Sequence, residues 1–286
     1  MPAVLGRLAV VAHLHLLPGS GGAQVARLTL ADGRRLVLKA VGTGDDQPVD
    51  FQRTAAVTAL ARAAGVLTPA VLAVDESGRA GWRYLLREYL DGVPWRQVRP
   101  QLDVSQVEAA HQQIAAAVVS LQRVQFNSFG ELDQAGRPQG LSLVDALHGR
   151  ANLRIADPAA RTRFHQLLDR DAGLFTDPQQ PTLCHDDLHH DNVLFSRRGR
   201  VWELAGILDW DKAWAGPAES DLARMAFWDD MTGPGFWQVY RSAMPSTDGQ
   251  ARRSLIYQLL WCLEYADASA RHAADTAALV CKLATE

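Results

Sequence analysis

The segment Cys184–Phe195, CHDDLHHDNVLF, limits what this chain can be more than any other part of the sequence. Its polar part is followed by an apolar run, which predicts a loop that leads into a buried strand. Four residues of the segment form the pattern H-x-D-L-x-x-x-N: His185, Asp187, Leu188 and Asn192. A second apolar run, Gly206–Leu208, ends in a carboxylate at Asp209. The sequence therefore predicts a polar loop and a strand end that together form one site.

This spacing fits the transfer of a phosphoryl group to a hydroxyl. That reaction needs a carboxylate to orient the hydroxyl and accept its proton, and an amide oxygen about five residues later to bind Mg²⁺. Asp187 is the candidate for the carboxylate and Asn192 for the amide. Asp209, at the end of the following strand, is the candidate for the second metal ligand.

Two features near the N-terminus offer contacts for a nucleotide. The loop between the first two predicted strands contains Gly19, Ser20, Gly21 and Gly22, whose backbone N–H groups could cover phosphates. Lys39 ends the apolar strand RLVLK and could contact the α- and β-phosphates. A glycine-rich loop alone can also be a plain hairpin turn. The order of all four parts along the chain is much more specific than any one of them.

These residues resemble the motifs of the aminoglycoside phosphotransferase and choline kinase-like family. The family loop H-G-D-L-H-x-x-N shares a second histidine with this chain at His189, and Leu208-Asp-Trp210 matches the family's I-D-W. The segment Gly216–Ala223, GPAESDLA, resembles the element that follows in many members. Tyr84–Gly92 resembles the hinge strand where the adenine docks.

The resemblance implies an α+β, bilobal, protein-kinase-like fold, with a small β-rich N-lobe and a larger, mainly helical C-lobe. It also implies ATP and Mg²⁺ as cofactors and a small-molecule hydroxyl as the acceptor. Glu88 and Leu90 are the hinge residues expected to bind the nucleotide. We place the nucleotide-binding lobe at residues 1–92 and the catalytic and acceptor-binding lobe at residues 93–286, with Gly92 as the joint.

The chain departs from the family at several positions. The family glycine after His185 is Asp186, and the proline and glycine before Asn192 are replaced by His190 and Asp191. The resemblance implies that a glutamate on the helix after this strand pairs with Lys39, but residues 51–74 contain no acid. Either Asp50 or Asp46 replaces that helix glutamate, or the ion pair is absent.

Two other functions remain open at this point. One is a metal-dependent phosphohydrolase built on four residues of the loop: His185, Asp186, His189 and His190. The other is a nucleotide-binding pseudoenzyme, which the missing helix glutamate suggests. A protein kinase is disfavoured because neither a D-F-G nor an A-P-E element is present around or after Asp209.

The periodicity predicts strands in the N-terminal third and helices thereafter. The Asp32-Gly33 turn between two apolar runs is typical of a hairpin. The predicted strands are 8–17, 25–30, 34–41, 70–74 and 82–89. The predicted helices are 50–64, 104–124 and 158–170, and the C-terminus is helical from about 217 to 283.

Composition excludes some partners and suggests others. A net charge of −3 over 286 residues gives no basic surplus for a nucleic acid. No apolar run is long enough for a membrane span, and the odd number of distant cysteines argues for a reducing, cytoplasmic setting. From residue 205 onward, the chain contains eleven acidic and seven basic residues. This excess suggests a cationic acceptor such as an aminoglycoside, with Asp229, Asp230 and Glu264 as candidate contacts.

Overall fold

The structure is a computed structural model that describes residues 11–17, 23–44, 49–79, 81–176, 179–228, 230–244, 248–265 and 269–285. Six of the predicted site residues are therefore placed and can be compared with the sequence: Lys39, Glu88, Leu90, Asp187, Asn192 and Asp209. The same holds for Asp230 and Glu264. Gly19, Ser20, Gly21, Gly22, Asp46 and Asp229 lie outside the described residues.

The N-terminal part is an antiparallel five-stranded sheet. Its strands are β1 (Val11–Leu17), β2 (Gln24–Leu30), β3 (Arg35–Gly42), β4 (Val71–Asp75) and β5 (Trp82–Glu88). They lie in the order β1-β2-β3-β5-β4. Gly33 has a φ of +83° in the turn between β2 and β3, a conformation that glycine adopts without strain. The predicted hairpin and strands are confirmed, apart from residues 8–10, which lie outside the described part.

One helix, α1 (Phe51–Ala63), packs on this sheet. The carboxylate of Asp50 accepts a hydrogen bond from the N–H of Arg53 and caps the helix, and Gly65 at a φ of +83° follows its end. Its buried side includes Phe51 and Val57, which are fully inaccessible to solvent. The helix was predicted to within one residue at each end.

The chain enters its second part directly after Gly92. The short strand β6 (Val93–Pro94) pairs with β9 (Val193–Arg198), which also pairs with β10 (Val201–Ile207). A Cβ on Gly92 would lie 2.9 Å from Cβ of Leu194, so only glycine fits this close approach. The division of the chain at Gly92 stays a prediction, but the change of sheet occurs at this point.

Helices make up most of the second part. They are α2 (Trp95–Val98), α3 (Val104–Gln122), α4 (Leu143–Arg154), α5 (Pro158–Arg170), α6 (Ala218–Phe227), α7 (Pro234–Ala243), α8 (Gln250–Glu264) and α9 (Ala270–Thr285). A third sheet is formed by β7 (Gly130–Glu131), β8 (Pro181–Cys184) and β11 (Trp214–Pro217), in the order β7-β11-β8. Neither α4 nor the pairing of β7 with β11 was predicted from the sequence.

A hydrophobic core joins α3 to the strands that carry the candidate site. Ile114 and Val118 of α3 belong to the same buried cluster as Phe195 of β9 and Ile207 of β10. Phe195 is fully buried, and truncating a buried phenylalanine to alanine costs about 3–5 kcal/mol. The loops at the ends of β8 and β10 therefore rest on a rigid base. None of the helices in the described part of the chain combines the length and apolarity that crossing a bilayer requires.

Candidate active site

The loop between β8 and β9 is held to the end of β10 by His185. Its Nδ1 accepts a hydrogen bond from the N–H of Asp187 at 3.1 Å, and its Nε2 donates to the carbonyl of Leu208 at 2.8 Å. Burial lowers the pKa of His185, so the ring is neutral at pH 7. Both ring nitrogens are used by the backbone, and His185 fixes the distance between the two loops that carry Asp187 and Asp209.

Asp221 of α6 holds the same loop from the other side. Its carboxylate is fully buried and accepts hydrogen bonds from the N–H groups of His185 at 2.9 Å and Asp186 at 2.7 Å. Burial raises the pKa of Asp221 to about 7, and these two hydrogen bonds oppose the rise. The segment GPAESDLA thus contributes a brace for the loop.

Asp186 stands in a backbone conformation that explains the family glycine. Its φ is +62°, in the left-handed region that side chains other than glycine rarely adopt. The carboxylate of Asp186 pairs with the guanidinium of Arg150 on α4, which is 1% exposed and lies 4.1 Å from the ring centroid of Trp214. Arg150 also pairs with Glu131. The carboxylate of Asp186 is therefore already paired with a buried cation.

Asp187 is paired with a cation on α6. One carboxylate oxygen, Oδ1, lies 2.7 Å from a terminal nitrogen of Arg224, and Lys212 is close enough to act on it electrostatically. Burial by itself would raise the pKa of Asp187, but Lys212 and Arg224 lower it to about 2. Asp187 is therefore a carboxylate throughout the physiological pH range.

The amide oxygen of Asn192 accepts no hydrogen bond from the described residues. Its Nδ2 donates to the carbonyl of Asp187 at 2.9 Å and lies 3.1 Å from Nε2 of His189. The backbone carbonyl of Asn192 accepts from the N–H of Leu208 at 2.8 Å, which places the start of β9 beside the end of β10. Asp209 follows at once and has a φ of +65°.

This donor set suits Mg²⁺. The ion binds oxygen, and it usually takes one or two protein ligands while the substrate phosphates and water complete its coordination. The amide oxygen of Asn192 and the carboxylate of Asp209 fit that requirement. Among the residues described, no three His, Cys, Asp or Glu side chains gather into a metal cluster. The four loop residues of the phosphohydrolase alternative, all of them described, therefore do not converge.

Lys39 reaches from the N-terminal sheet to the end of β10. Its Nζ lies 3.0 Å from Oδ1 of Asp209 and 2.5 Å from Oδ2 of Asp211. Burial would lower the pKa of Lys39, but the two carboxylates raise it above its usual value, so the side chain is charged. β3 continues to Gly42, so Lys39 lies within the strand and not at its end.

The two residues predicted for the hinge, Glu88 and Leu90, differ in the polar groups that they could present to a nucleotide base. The Glu88 side chain is half exposed and its carboxylate accepts from the N–H of Ala70 at 3.0 Å. The N–H of Glu88 donates to the carbonyl of Ala70 at 2.9 Å, so Glu88 has no N–H left to donate to a base. Within the described residues, the N–H and C=O of Leu90 have no hydrogen-bond partner. A Cβ on Gly206 would lie 2.5 Å from Cδ1 of Leu90, so glycine allows the hinge to approach the strand that leads to Asp209.

The acids proposed for the acceptor are already paired. Glu264 lies 3.0 Å from Nζ of Lys212 and 3.3 Å from Arg154. The carboxylate of Asp230 lies 3.1 Å from Arg99. Neither acid therefore provides an uncompensated negative charge at the site.

Sequence reasoning missed several residues that contact the predicted ones. They are Asp211, Lys212 and Arg224. It also missed Thr54, which contacts Asp211, and Arg150, which contacts Asp186. Asp211 had a usable signal, since it is two residues beyond Asp209 in the segment LDWD. Asp50 lies close to α1 as expected, but it caps the helix and no contact with Lys39 is present among the described residues.

Comparison with known proteins identifies the class. The sequence profile described as phosphotransferase enzyme family matches residues 14–254, so the chain belongs to that family. No curated protein matches the chain in a sequence search. The match to the family profile confirms the family resemblance drawn from the motifs.

Solved structures share the fold over nearly the whole chain. A Thermobifida fusca protein provisionally designated fructosamine-3-kinase is 22% identical, with a TM-score of 0.68 over 99% of this chain and 98% of its own. Choline kinase LicA from Streptococcus pneumoniae is 17% identical, with a TM-score of 0.63 over 96% and 94%. Amicoumacin kinase hAmiN, solved with AMP-PNP and Ca²⁺, is 15% identical, with a TM-score of 0.65 over 98% and 90%.

The α+β, protein-kinase-like fold predicted from the sequence is thereby confirmed. Family and fold together support a small-molecule phosphotransferase. The names of these three kinases differ in the compound that each is said to phosphorylate, so the fold by itself does not choose an acceptor.

Proposed function

We propose that the chain transfers the γ-phosphoryl group of ATP to a hydroxyl of a small molecule, with Mg²⁺ as cofactor. The observation that carries this proposal is the 3.0 Å contact between Lys39 and Asp209. It brings together two residues that the sequence assigned independently to the nucleotide and to the metal. Asn192 and Asp187 lie on the adjoining loop.

The nucleotide would lie between the N-terminal sheet and the loop that follows β8. Lys39 would bind its phosphates and the open backbone groups of Leu90 would bind the base, while the glycines at 19, 21 and 22 remain a prediction. Asn192 and Asp209 would hold Mg²⁺, which neutralises charge on the phosphates and orients them.

Asp187 would orient the acceptor hydroxyl. A carboxylate with a pKa of about 2 is a weak base, so early removal of the hydroxyl proton is not its main contribution. Phosphoryl transfer passes through a loose transition state, in which the proton leaves late and positioning matters more. Arg224 holds Oδ1 of Asp187, and Oδ2, which lies 3.9 Å from Nε2 of His189, would face the hydroxyl.

The acceptor is where the proposal is least specific. A cationic acceptor, such as an aminoglycoside, stays a prediction from the charge of the C-terminal part. The pairing of Glu264 and Asp230 with cations weakens that prediction, because their charge is compensated within the protein. A cytoplasmic location, where ATP is abundant, also stays a prediction.

A panel assay tests the proposal. Release of ADP would be followed with ATP, Mg²⁺ and one acceptor at a time: aminoglycosides, choline, amino sugars, ketoamines, hydroxy-amino acids and neutral sugars. We expect acceptor-dependent ADP release that Asp187→Asn abolishes. Turnover confined to neutral sugars would refute the cationic acceptor, and ATP binding without release in any mixture would favour the pseudoenzyme.

A further inference from the structure

The surroundings of Lys39 show how its charge is held in a chain that has no helix glutamate. α1 carries no acidic side chain, and Asp50 before it accepts hydrogen bonds from Arg53 and Gln134. The contacts of Lys39 in the described residues come instead from the segment after β10, which supplies Asp209 and Asp211. The contact with Asp211, at 2.5 Å, is the shorter one.

Asp211 is itself fixed by α1. Its second oxygen, Oδ1, accepts a hydrogen bond from the hydroxyl of Thr54 at 2.8 Å, and its backbone carbonyl accepts from Arg53 at 3.0 Å. One carboxylate thus contacts the lysine through Oδ2 and the helix through Oδ1. A glutamate on the helix would link the same two elements, the sheet and α1, in a single side chain.

The two acids beside Lys39 differ in how many of their carboxylate oxygens contact the described residues. Both oxygens of Asp211 have protein partners. Asp209 uses Oδ1 for Lys39, and its Oδ2 accepts no hydrogen bond from the described residues. Asp209 is therefore the better candidate for a cation, and Asp211 is the acid that stays with the lysine.

We propose that Asp211, held by Thr54, positions Lys39 for the nucleotide phosphates and takes the place of the missing helix glutamate. This inference rests on the proposed function, since it assigns Lys39 to the nucleotide. Asp211 contacts no reacting atom in this account. It acts through Lys39.

A double-mutant cycle tests the coupling. kcat/KM for ATP would be measured for the wild type, Lys39→Ala, Asp211→Asn and the double variant. We expect Asp211→Asn to lower kcat/KM by roughly 10- to 100-fold, and by less than about threefold when Lys39 is already alanine. An equal loss in both backgrounds, or a raised Mg²⁺ requirement in Asp211→Asn, would show a metal ligand and overturn the inference.

A second measurement uses the nucleotide-free protein and needs no activity. The lysines of the chain are Lys39, Lys212 and Lys282. Their ¹³Cε resonances can be recorded from protein labelled in lysine alone, and Lys212→Arg and Lys282→Arg assign them. We expect the Lys39 resonance to move and narrow in Asp211→Asn, and to move less in Thr54→Val.

The control for that measurement is Asp50→Asn, which removes an acid close to α1 but keeps a good capping residue. The Lys39 resonance should not move in this variant. An unmoved resonance in Asp211→Asn would overturn the inference whatever the enzyme does. If the Lys39 resonance moves in Asp211→Asn but the wild type transfers no phosphoryl group, the coupling of the two residues is supported and the proposed function is refuted.

Discussion

The two sides of the candidate site are stabilised in different ways. On the nucleotide side, Lys39 is shared between Asp209 and Asp211. On the side proposed for the acceptor, each acid contacts a different arginine. Asp187 pairs with Arg224, Asp186 with Arg150, and Glu264 with Lys212 and Arg154.

This difference suits the two tasks. The Oδ2 of Asp209, which accepts no hydrogen bond from the described residues, can take a divalent cation that arrives with the nucleotide. The pairs on the acceptor side keep Asp187 ionised and immobile, so that it can orient a hydroxyl. The first side is thus built for exchange of partners and the second for a fixed geometry.

The largest effect is expected at Asp187. Removing the carboxylate that orients the acceptor hydroxyl and accepts its proton late in the reaction is expected to lower the rate by about 10² to 10⁴, the range typical of a general base. Asp187→Asn should therefore reduce kcat by that factor, while the affinity for ATP measured by calorimetry stays within a few-fold of the wild type. Near-normal turnover in this variant would place the chemistry elsewhere.

A change on the nucleotide side should alter the metal dependence first. Asp209→Asn replaces the only carboxylate among the two ligands proposed for Mg²⁺ by a neutral amide and so weakens that ligand. Loss of a residue that merely supports a ligand costs roughly 10- to 100-fold in metal affinity, so weakening a ligand itself should cost at least as much. Titration of activity with MgCl₂ measures this. An unchanged Mg²⁺ requirement would exclude Asp209 as a ligand.

The ion pair between Asp187 and Arg224 predicts how stability and kcat/KM depend on pH. The pKa of Asp187 is lowered to about 2 from an ordinary value of 3.8, so the folded carboxylate stabilises the protein above about pH 4 and loses this effect as pH falls towards 2. The shift corresponds to about 2 kcal/mol. In Arg224→Met the pKa should rise, and the acid limb of kcat/KM should move to higher pH.

Arg224→Lys is the matched control for that profile, since it keeps the charge. Urea unfolding between pH 3 and pH 7 provides the stability measurement. An acid limb that is identical in Arg224→Met and the wild type would show that Arg224 does not act on Asp187.

The smallest effect is expected at Glu264. Because Lys212 and Arg154 already compensate its charge, Glu264→Gln should change the KM of the acceptor by less than about fivefold and leave kcat nearly unaltered. The measurement is a steady-state titration of the acceptor found in the panel. A large rise in KM for a cationic acceptor would show that Glu264 binds it. It would also show that Lys212 and Arg154 do not prevent Glu264 from contacting the acceptor.

The parts that the sequence predicted well are those encoded locally. Strand alternation, the Asp32-Gly33 turn and the capping of α1 are each determined by a few neighbouring residues. The loop with Asp187 and Asn192 could be found because the chemistry imposes its spacing.

The parts that sequence reasoning missed depend on packing between distant segments. Arg150 contacts Asp186 only because α4 packs beside the third sheet. The spacing of residues within 143–154 does not predict this contact. Gly149 and the polar residues around it also obscure the apolar periodicity of α4. Asp211 meets Thr54 across 157 residues of chain, which no local pattern records.

Detection of the phosphorylated product by ³¹P NMR tests the central claim most directly. The wild type, ATP, Mg²⁺ and the acceptor selected by the panel would be compared with Asp187→Asn under the same conditions. The account predicts a phosphomonoester resonance that grows with ADP in the wild type and stays absent in the variant. Inorganic phosphate in place of an ester, or an ester formed equally by both proteins, would contradict it.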